Sequence, residues 1–180
     1  MCGIVGFIGN EPAAPILLQG LSKLEYRGYD SAGIAVRDQD APAEIIKSKG
    51  RLKLLQQKTD NGHALKGSCG IGHTRWATHG EPSEINAHPH CSDDRSVIAV
   101  HNGIIDNYTE LKEKLLKKWY TFYSDTDTEV AVKLIDYYYK KSGQDPLQAL
   151  INAMTHIRGS YAFAVMYQEY PGEIYVARKD

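Results

Sequence analysis

Two pairs of strand-like segments are separated by little more than a turn, and this constrains the fold more than any other feature. Ile34–Val36 is followed, across the Asp- and Pro-rich stretch Asp38–Ala43, by a second strand at Glu44–Ser48. Near the end, Tyr161–Tyr167 and Glu173–Ala177 are joined by a loop containing Pro171-Gly172. Parallel neighbours need a crossover of a dozen or more residues, so these pairs read as antiparallel hairpins. Further strands are expected at Gly3–Ile8, Ile71–Thr74 and Val97–His101. Helices are expected at residues 13–25 (Leu17, Leu21 and Leu24 on one face), 108–118, 127–140 and 146–157. Leu147, Leu150, Ile151 and Met154 are the inward positions of the last, and Glu110–Lys114 and Glu113–Lys117 are i, i+4 pairs on the helix at 108–118. Hairpins mixed with helices imply an α+β layered fold, not a doubly wound parallel sheet.

The chain has 180 residues and a formal net charge of −1, with 42% hydrophobic and 24% charged side chains. That composition suits one soluble domain or most of one. Neither half gathers the positive charge that would attract nucleic acid or an anionic membrane. The longest apolar runs, such as Val97–Val100, suit buried strands and fall far short of a membrane span. Three cysteines, Cys2, Cys69 and Cys91, are too few and odd for a disulfide framework, which favours a reducing, cytoplasmic setting. The N-terminus has no basic leader and no Gly at position 2, so neither a signal peptide nor myristoylation is expected.

Several chemistries are disfavoured by spacing. Gly67, Gly70 and Gly72 do not match a dinucleotide fingerprint, and no phosphate-loop motif occurs. Five of the seven histidines fall between His73 and His101, and Cys91 lies beside His88-Pro-His90. No C-x-x-C or H-E-x-x-H pair completes a zinc set, so no metal is expected.

Cys2 is the most informative residue. A cysteine heading a strand is ordinarily a small hydrophobe. Here, removal of Met1 would leave it with a free α-amine of pKa about 7.7–8.0 next to a thiol of about 8.5. One residue then supplies both nucleophile and base, the logic of N-terminal-amine-assisted catalysis. Direct transfer from sulfur to nitrogen needs a strained five-membered ring, so a bridging water is expected.

Attack on an amide also needs donors for the tetrahedral oxyanion. Asn102-Gly103, after a buried strand, offers a side-chain amide and an open backbone N–H, though Asn-Gly is equally a hairpin turn. His73-Thr-Arg-Trp-Ala-Thr-His-Gly80 gathers donors, and Arg75 can grip a carboxylate in a bidentate fork. Asp127 can pair with an ammonium; the plainer reading of its segment is a helix cap, with Thr126 and Glu129 as a capping box.

Together these stretches resemble the glutaminase domain of the class II, N-terminal nucleophile glutamine amidotransferases. The blocks that carry the likeness are Cys-Gly-Ile-Val-Gly (2–6), Leu-Glu-Tyr-Arg-Gly-Tyr-Asp-Ser-Ala-Gly (24–33) and His-Thr-Arg-Trp-Ala-Thr-His-Gly (73–80). Asn-Ala-His-Pro-His (86–90), His-Asn-Gly-Ile-Ile (101–105) and Thr-Asp-Thr-Glu (126–129) complete them. The Tyr-Arg-Gly-Tyr-Asp block favours the glucosamine-forming branch over the purine and asparagine branches.

The resemblance implies a four-layer αββα sandwich, no cofactor, and glutamine as substrate. It makes Cys2 the nucleophile and Asn102 with Gly103 the oxyanion hole. Arg75, Thr78 and His79 would hold the glutamine α-carboxylate, and Asp127 the α-ammonium. Arg27 would brace Asn102, and Trp76 would gate ammonia passage. It further implies that residues 1–180 are a C-terminally incomplete domain, continued in the full-length protein by the rest of the domain and a sugar isomerase domain. There the ammonia would be fed to fructose 6-phosphate to make glucosamine 6-phosphate, and the full-length protein would be a homo-oligomer. The competing expectations are a catalytically silent glutamine-binding module and a zinc-binding protein using the histidines at 73–101.

Overall fold

Alternation along the strands sorts side chains to two faces, and the sorting here produces four layers. The structure, a computed structural model, describes residues 2–179. The first sheet is built from β1 (Gly3–Ile8), β2 (Ser31–Arg37), β3 (Glu44–Lys49) and β4 (Cys69–Arg75), in the order β1-β4-β2-β3. The second contains β5 (His90–Cys91), β6 (Val97–Ile105), β7 (Gly159–Tyr167) and β8 (Tyr175–Lys179), in sequence order. Every pairing is antiparallel, and both expected hairpins are present as β2–β3 and β7–β8.

On β4, Cys69 and Ile71 point inward to meet Ile98, Val100, Ala164 and Met166 of the other sheet. The opposite face of β4 is glycine at 70 and 72. A Cβ there would lie 2.8 Å from Leu17 Cδ1 and 3.0 Å from Leu21 Cδ1, so these glycines let helix α1 (Ala13–Ser22) settle onto the sheet. With α2 (Leu52–Lys58), α1 forms one outer layer around Leu17, Leu21, Ile34 and Leu55. Helices α3 (Tyr108–Leu116), α4 (Asp127–Lys141) and α5 (Pro146–His156) form the other, over Val97, Ala99, Ile105, Phe163 and Val165. The result is the expected αββα sandwich, and no helix among the described residues is long and apolar enough to cross a membrane.

Several local expectations need correction. Helix α1 stops at Ser22, and Glu25–Arg27 form a separate 3₁₀ turn, so Leu24 leaves the helical face. Residues 52–58 carry no periodic signal, since Leu52 and Leu55 are too few to show one, yet these two anchor α2. On α5 the inward face is Ala149, Leu150 and Ala153, while Leu147 and Ile151 are 56% and 49% exposed. Small alanines are what fit against α4 at close range, which periodicity of large side chains does not reveal. Glu110 does pair with Lys114 at 2.7 Å. The possibility of a turn at Asn102-Gly103 is overturned: β6 runs straight through to Ile105, paired with β7 from Val97↔Tyr167 to Ile105↔Gly159.

Candidate active site

The two sheets present the ends of β1, β4 and β6 to one cavity of about 490 Å³. Every candidate site residue lines it: Cys2, Arg27, Arg75, Trp76, Thr78, His79, Asn102, Gly103 and Asp127. Met1, whose removal would free the Cys2 α-amine, lies outside the described residues.

Cys2 immediately precedes β1, which pairs with β4, so its sulfur reaches the residue that follows β4. The Trp76 N–H donates to Cys2 Sγ at 3.3 Å, and the thiol faces the Trp76 carbonyl at 3.5 Å. Burial raises the Cys2 pKa; the Trp76 N–H and the Arg75 charge pull it back down, while Asp30 adds to the rise. The sulfur is therefore a thiol at neutral pH and needs a base to become a nucleophile. The Trp76 ring is half-exposed and packs edge-on against Tyr29 at 5.2 Å.

Register determines where the main-chain donors of β6 point. The Gln168 N–H reaches Ser96 O at 2.8 Å and the Asp106 N–H reaches Arg158 O at 2.9 Å. In an antiparallel ladder this makes residues 97 to 105 alternate, with the odd-numbered N–H groups turned away from β7. The His101 N–H accordingly donates to His88 Nδ1 at 3.3 Å, and the Ile105 N–H to Asp127 Oδ2 at 3.0 Å. The Gly103 N–H lies between them on the same edge, beside the cavity. Gly103 has φ +130°, and a Cβ there would sit 2.1 Å from Ser160 O, so only glycine keeps the strand in this path.

The Asn102 side chain, on an even position, points between the sheets. Its Nδ2 donates to Cys2 O at 3.1 Å, which leaves the second amide hydrogen available. Arg75 is buried, and its guanidinium donates to the carbonyls of His79, of Gly80 at 3.0 Å and of Glu81 at 3.4 Å. Three of its five N–H groups thus shape the loop, and two remain for a ligand. Asp127 begins α4, and burial raises its pKa against the pull of the Ile105 N–H and of His79, whose Nδ1 is 4.0 Å away. With one lone pair on Ile105, the carboxylate keeps others for a cation.

The capping box forms only by half. Thr126 Oγ1 accepts from the Glu129 N–H at 3.2 Å, but the Glu129 carboxylate takes the Tyr123 and Ser124 N–H groups and Lys133 Nζ instead. The histidines cluster without converging as ligands. His73 and His88 stack at 4.0 Å, His90 Nε2 meets Thr126 Oγ1 at 3.1 Å, and His101 Nδ1 meets Thr128 Oγ1 at 2.9 Å. Among the described residues, no group of three His, Cys, Asp or Glu side chains is arranged to hold a metal ion.

Sequence reasoning missed several contributors. Asp30 accepts from the Ala77 N–H and holds the loop beside Cys2. His73 and His88 fall in the histidine cluster weighed as a zinc set, yet His73 contacts Asn102 and stacks on His88. Ser160 and Tyr161, at the start of β7, line the cavity with no local signal at all.

The family described as "Glutamine amidotransferase domain" matches residues 73–180. Relatives named glutamine--fructose-6-phosphate aminotransferase [isomerizing] align over the whole chain. They include those of Clostridium tetani at 54% identity and Clostridium perfringens at 52%. The chain spans 29% of the length of each of these relatives. Among solved structures, glutamine phosphoribosylpyrophosphate amidotransferase from B. subtilis superimposes with a TM-score of 0.78 at 30% identity. That match covers 93% of this chain and 35% of the other.

Proposed function

Since the chain belongs to the glutamine amidotransferase domain family, and has the fold of the N-terminal nucleophile amidotransferases, we propose that it carries out the glutaminase half-reaction. Glutamine is converted to glutamate and ammonia through a γ-glutamyl thioester on Cys2. The observation that carries this reading is the meeting of Cys2 Sγ, the Asn102 amide and the Gly103 N–H at one cavity.

With Met1 removed, the Cys2 α-amine takes the thiol proton through a water. The thiolate attacks the substrate's side-chain carbonyl carbon. The oxyanion formed is held by the free Asn102 Nδ2–H and the Gly103 N–H, in a pocket where such donors act at full strength. Return of the proton expels ammonia, and water then cleaves the thioester. The two free N–H groups of Arg75, with Thr78 and His79, hold the α-carboxylate. Asp127 holds the α-ammonium, Arg27 braces the Asn102 side, and Trp76 closes the ammonia exit. In the longer protein, the ammonia passes to a sugar isomerase domain that aminates fructose 6-phosphate, within a homo-oligomer. A cytoplasmic setting belongs to the same proposal, and three free cysteines fit it.

In the full-length protein carrying this chain, with loss of Met1 verified by intact mass, glutamate release is expected from the parent. None is expected from Cys2→Ala, whose melting temperature should stay within a few degrees of the parent's. A glutamine-like electrophile should inactivate the parent progressively and label Cys2. A Cys2→Ala protein that still turns over would refute the proposal, and binding without turnover or labelling in the parent would leave a silent binding module.

A further inference from the structure

We propose that His73 is the positioning residue that orients the Asn102 carboxamide and so sets the oxyanion site beside Cys2. The inference rests on the glutaminase reading above and deepens it. His73 lies on β4 and Asn102 on β6, and both side chains enter the space between the two sheets. His73 Nε2 is 3.1 Å from the His101 carbonyl oxygen and 2.9 Å from Asn102 Oδ1. A carbonyl only accepts, so Nε2 carries the proton and donates to both oxygens.

That hydrogen and the Cys2 carbonyl, which can only accept, together decide which way the carboxamide faces. The oxygen and nitrogen ends of an asparagine side chain have nearly the same shape, so packing alone does not tell them apart. With its oxygen drawn to the His73 N–H, Asn102 must turn its NH₂ toward Cys2, where Nδ2 meets the Cys2 carbonyl at 3.1 Å. The ring is itself held. It is completely buried, stacked on His88 at 4.0 Å and 23°, and His88 is tied to the next layer through the His101 N–H at 3.3 Å. Burial keeps the His73 ring neutral, with a pKa of about 4, and the two oxygens at Nε2 hold its one proton there through the neutral range. Without the donor, the oxygen end of the carboxamide is unanchored, and the amide can rotate away from the geometry that aims its NH₂ at the developing oxyanion. The loss then falls on the transition state, because the groups assigned to the amino-acid end of the substrate, Arg75 and Asp127, are untouched.

The test compares His73→Gln with His73→Asn in the full-length protein. Gln places an amide N–H close to the position of Nε2, whereas Asn is too short to reach it. For glutamine hydrolysis, His73→Asn should lower kcat on the order of 10²-fold, the scale of a lost oxyanion donor, with KM little changed. His73→Gln should recover most of that loss. His73→Asn combined with Asn102→Ala should be no slower than Asn102→Ala alone, since both remove one effect. Equal losses in the two His73 variants, a change confined to KM, or additive losses in the double variant would overturn the inference. An inert, Met1-free parent would instead overturn the glutaminase reading on which it rests.

Discussion

At the scale of single residues, chemistry depends on which hydrogen faces which lone pair. Asn102 divides its amide between Cys2 O at 3.1 Å and the cavity, and its oxygen is held by His73. Asn102→Ala should therefore lower kcat by about 10²–10³-fold with KM nearly unchanged, as measured by steady-state glutamate release. A rise in KM alone would make Asn102 a substrate-binding group. The residue types at this site were legible in the sequence: Cys2, Asn102, Gly103, Arg75 and Asp127 all line one cavity. Their hydrogen-bond assignments were not. That three Arg75 N–H groups go to loop carbonyls, or that Glu129 serves Ser124 and Lys133 instead of completing a capping box, depends on atoms distant in sequence or on loop conformation.

At the scale of elements, α4 is the one most deeply embedded, and it carries charge inward. Lys133 is fully buried, with Nζ 2.9 Å from Asp93 and 3.0 Å from Glu129, and it also donates to Thr121 O. Burial works against ionisation of Glu129, yet the Ser124 and Tyr123 donors together with Lys133 hold its pKa below the usual range. Lys133→Met should destabilise the protein by about 3–5 kcal/mol, because it leaves that carboxylate buried without its counter-charge. Urea unfolding checks this, and Lys133→Met with Glu129→Gln should restore part of the loss. A single variant as stable as the parent would show that the pair contributes nothing. Periodicity located α4 to within a residue of its C-terminal end. It gave no hint of Lys133, because a lysine on a helix ordinarily reads as a solvated face.

At the scale of the whole molecule, a layer of neutral histidines lies between the sheets and against α4. Burial depresses His73 to about 4 and His101 to about 3, and holds His88 and His90 well below the ordinary range. In the unfolded chain these rings titrate near 6.5. From about pH 6.5 down to about 4, the unfolded state binds protons that the folded state refuses. The histidine contribution is thus complete above pH 6.5 and is lost as the pH falls through that window. The urea midpoint should drop between pH 7 and pH 5, before most carboxylates titrate. A midpoint that is flat over this range would mean that the rings are not held neutral.

The sequence alone determined the α+β layering and the existence of most elements, since hairpin spacing and apolar period are local properties of the chain. It also singled out residues that line one cavity, through their chemical types and through a family resemblance. Only the tertiary structure decided that β6 continues through Asn102-Gly103, that α5 faces α4 with its alanines, and that His73 reaches Asn102. Each of these depends on a partner brought up by packing: β7 and Ser160 for Gly103, α4 for Ala149 and Ala153, and the opposite sheet for His73. Short-range patterns encode which face a side chain takes. What that side chain meets there depends on segments far along the chain, and those meet only when the layers close.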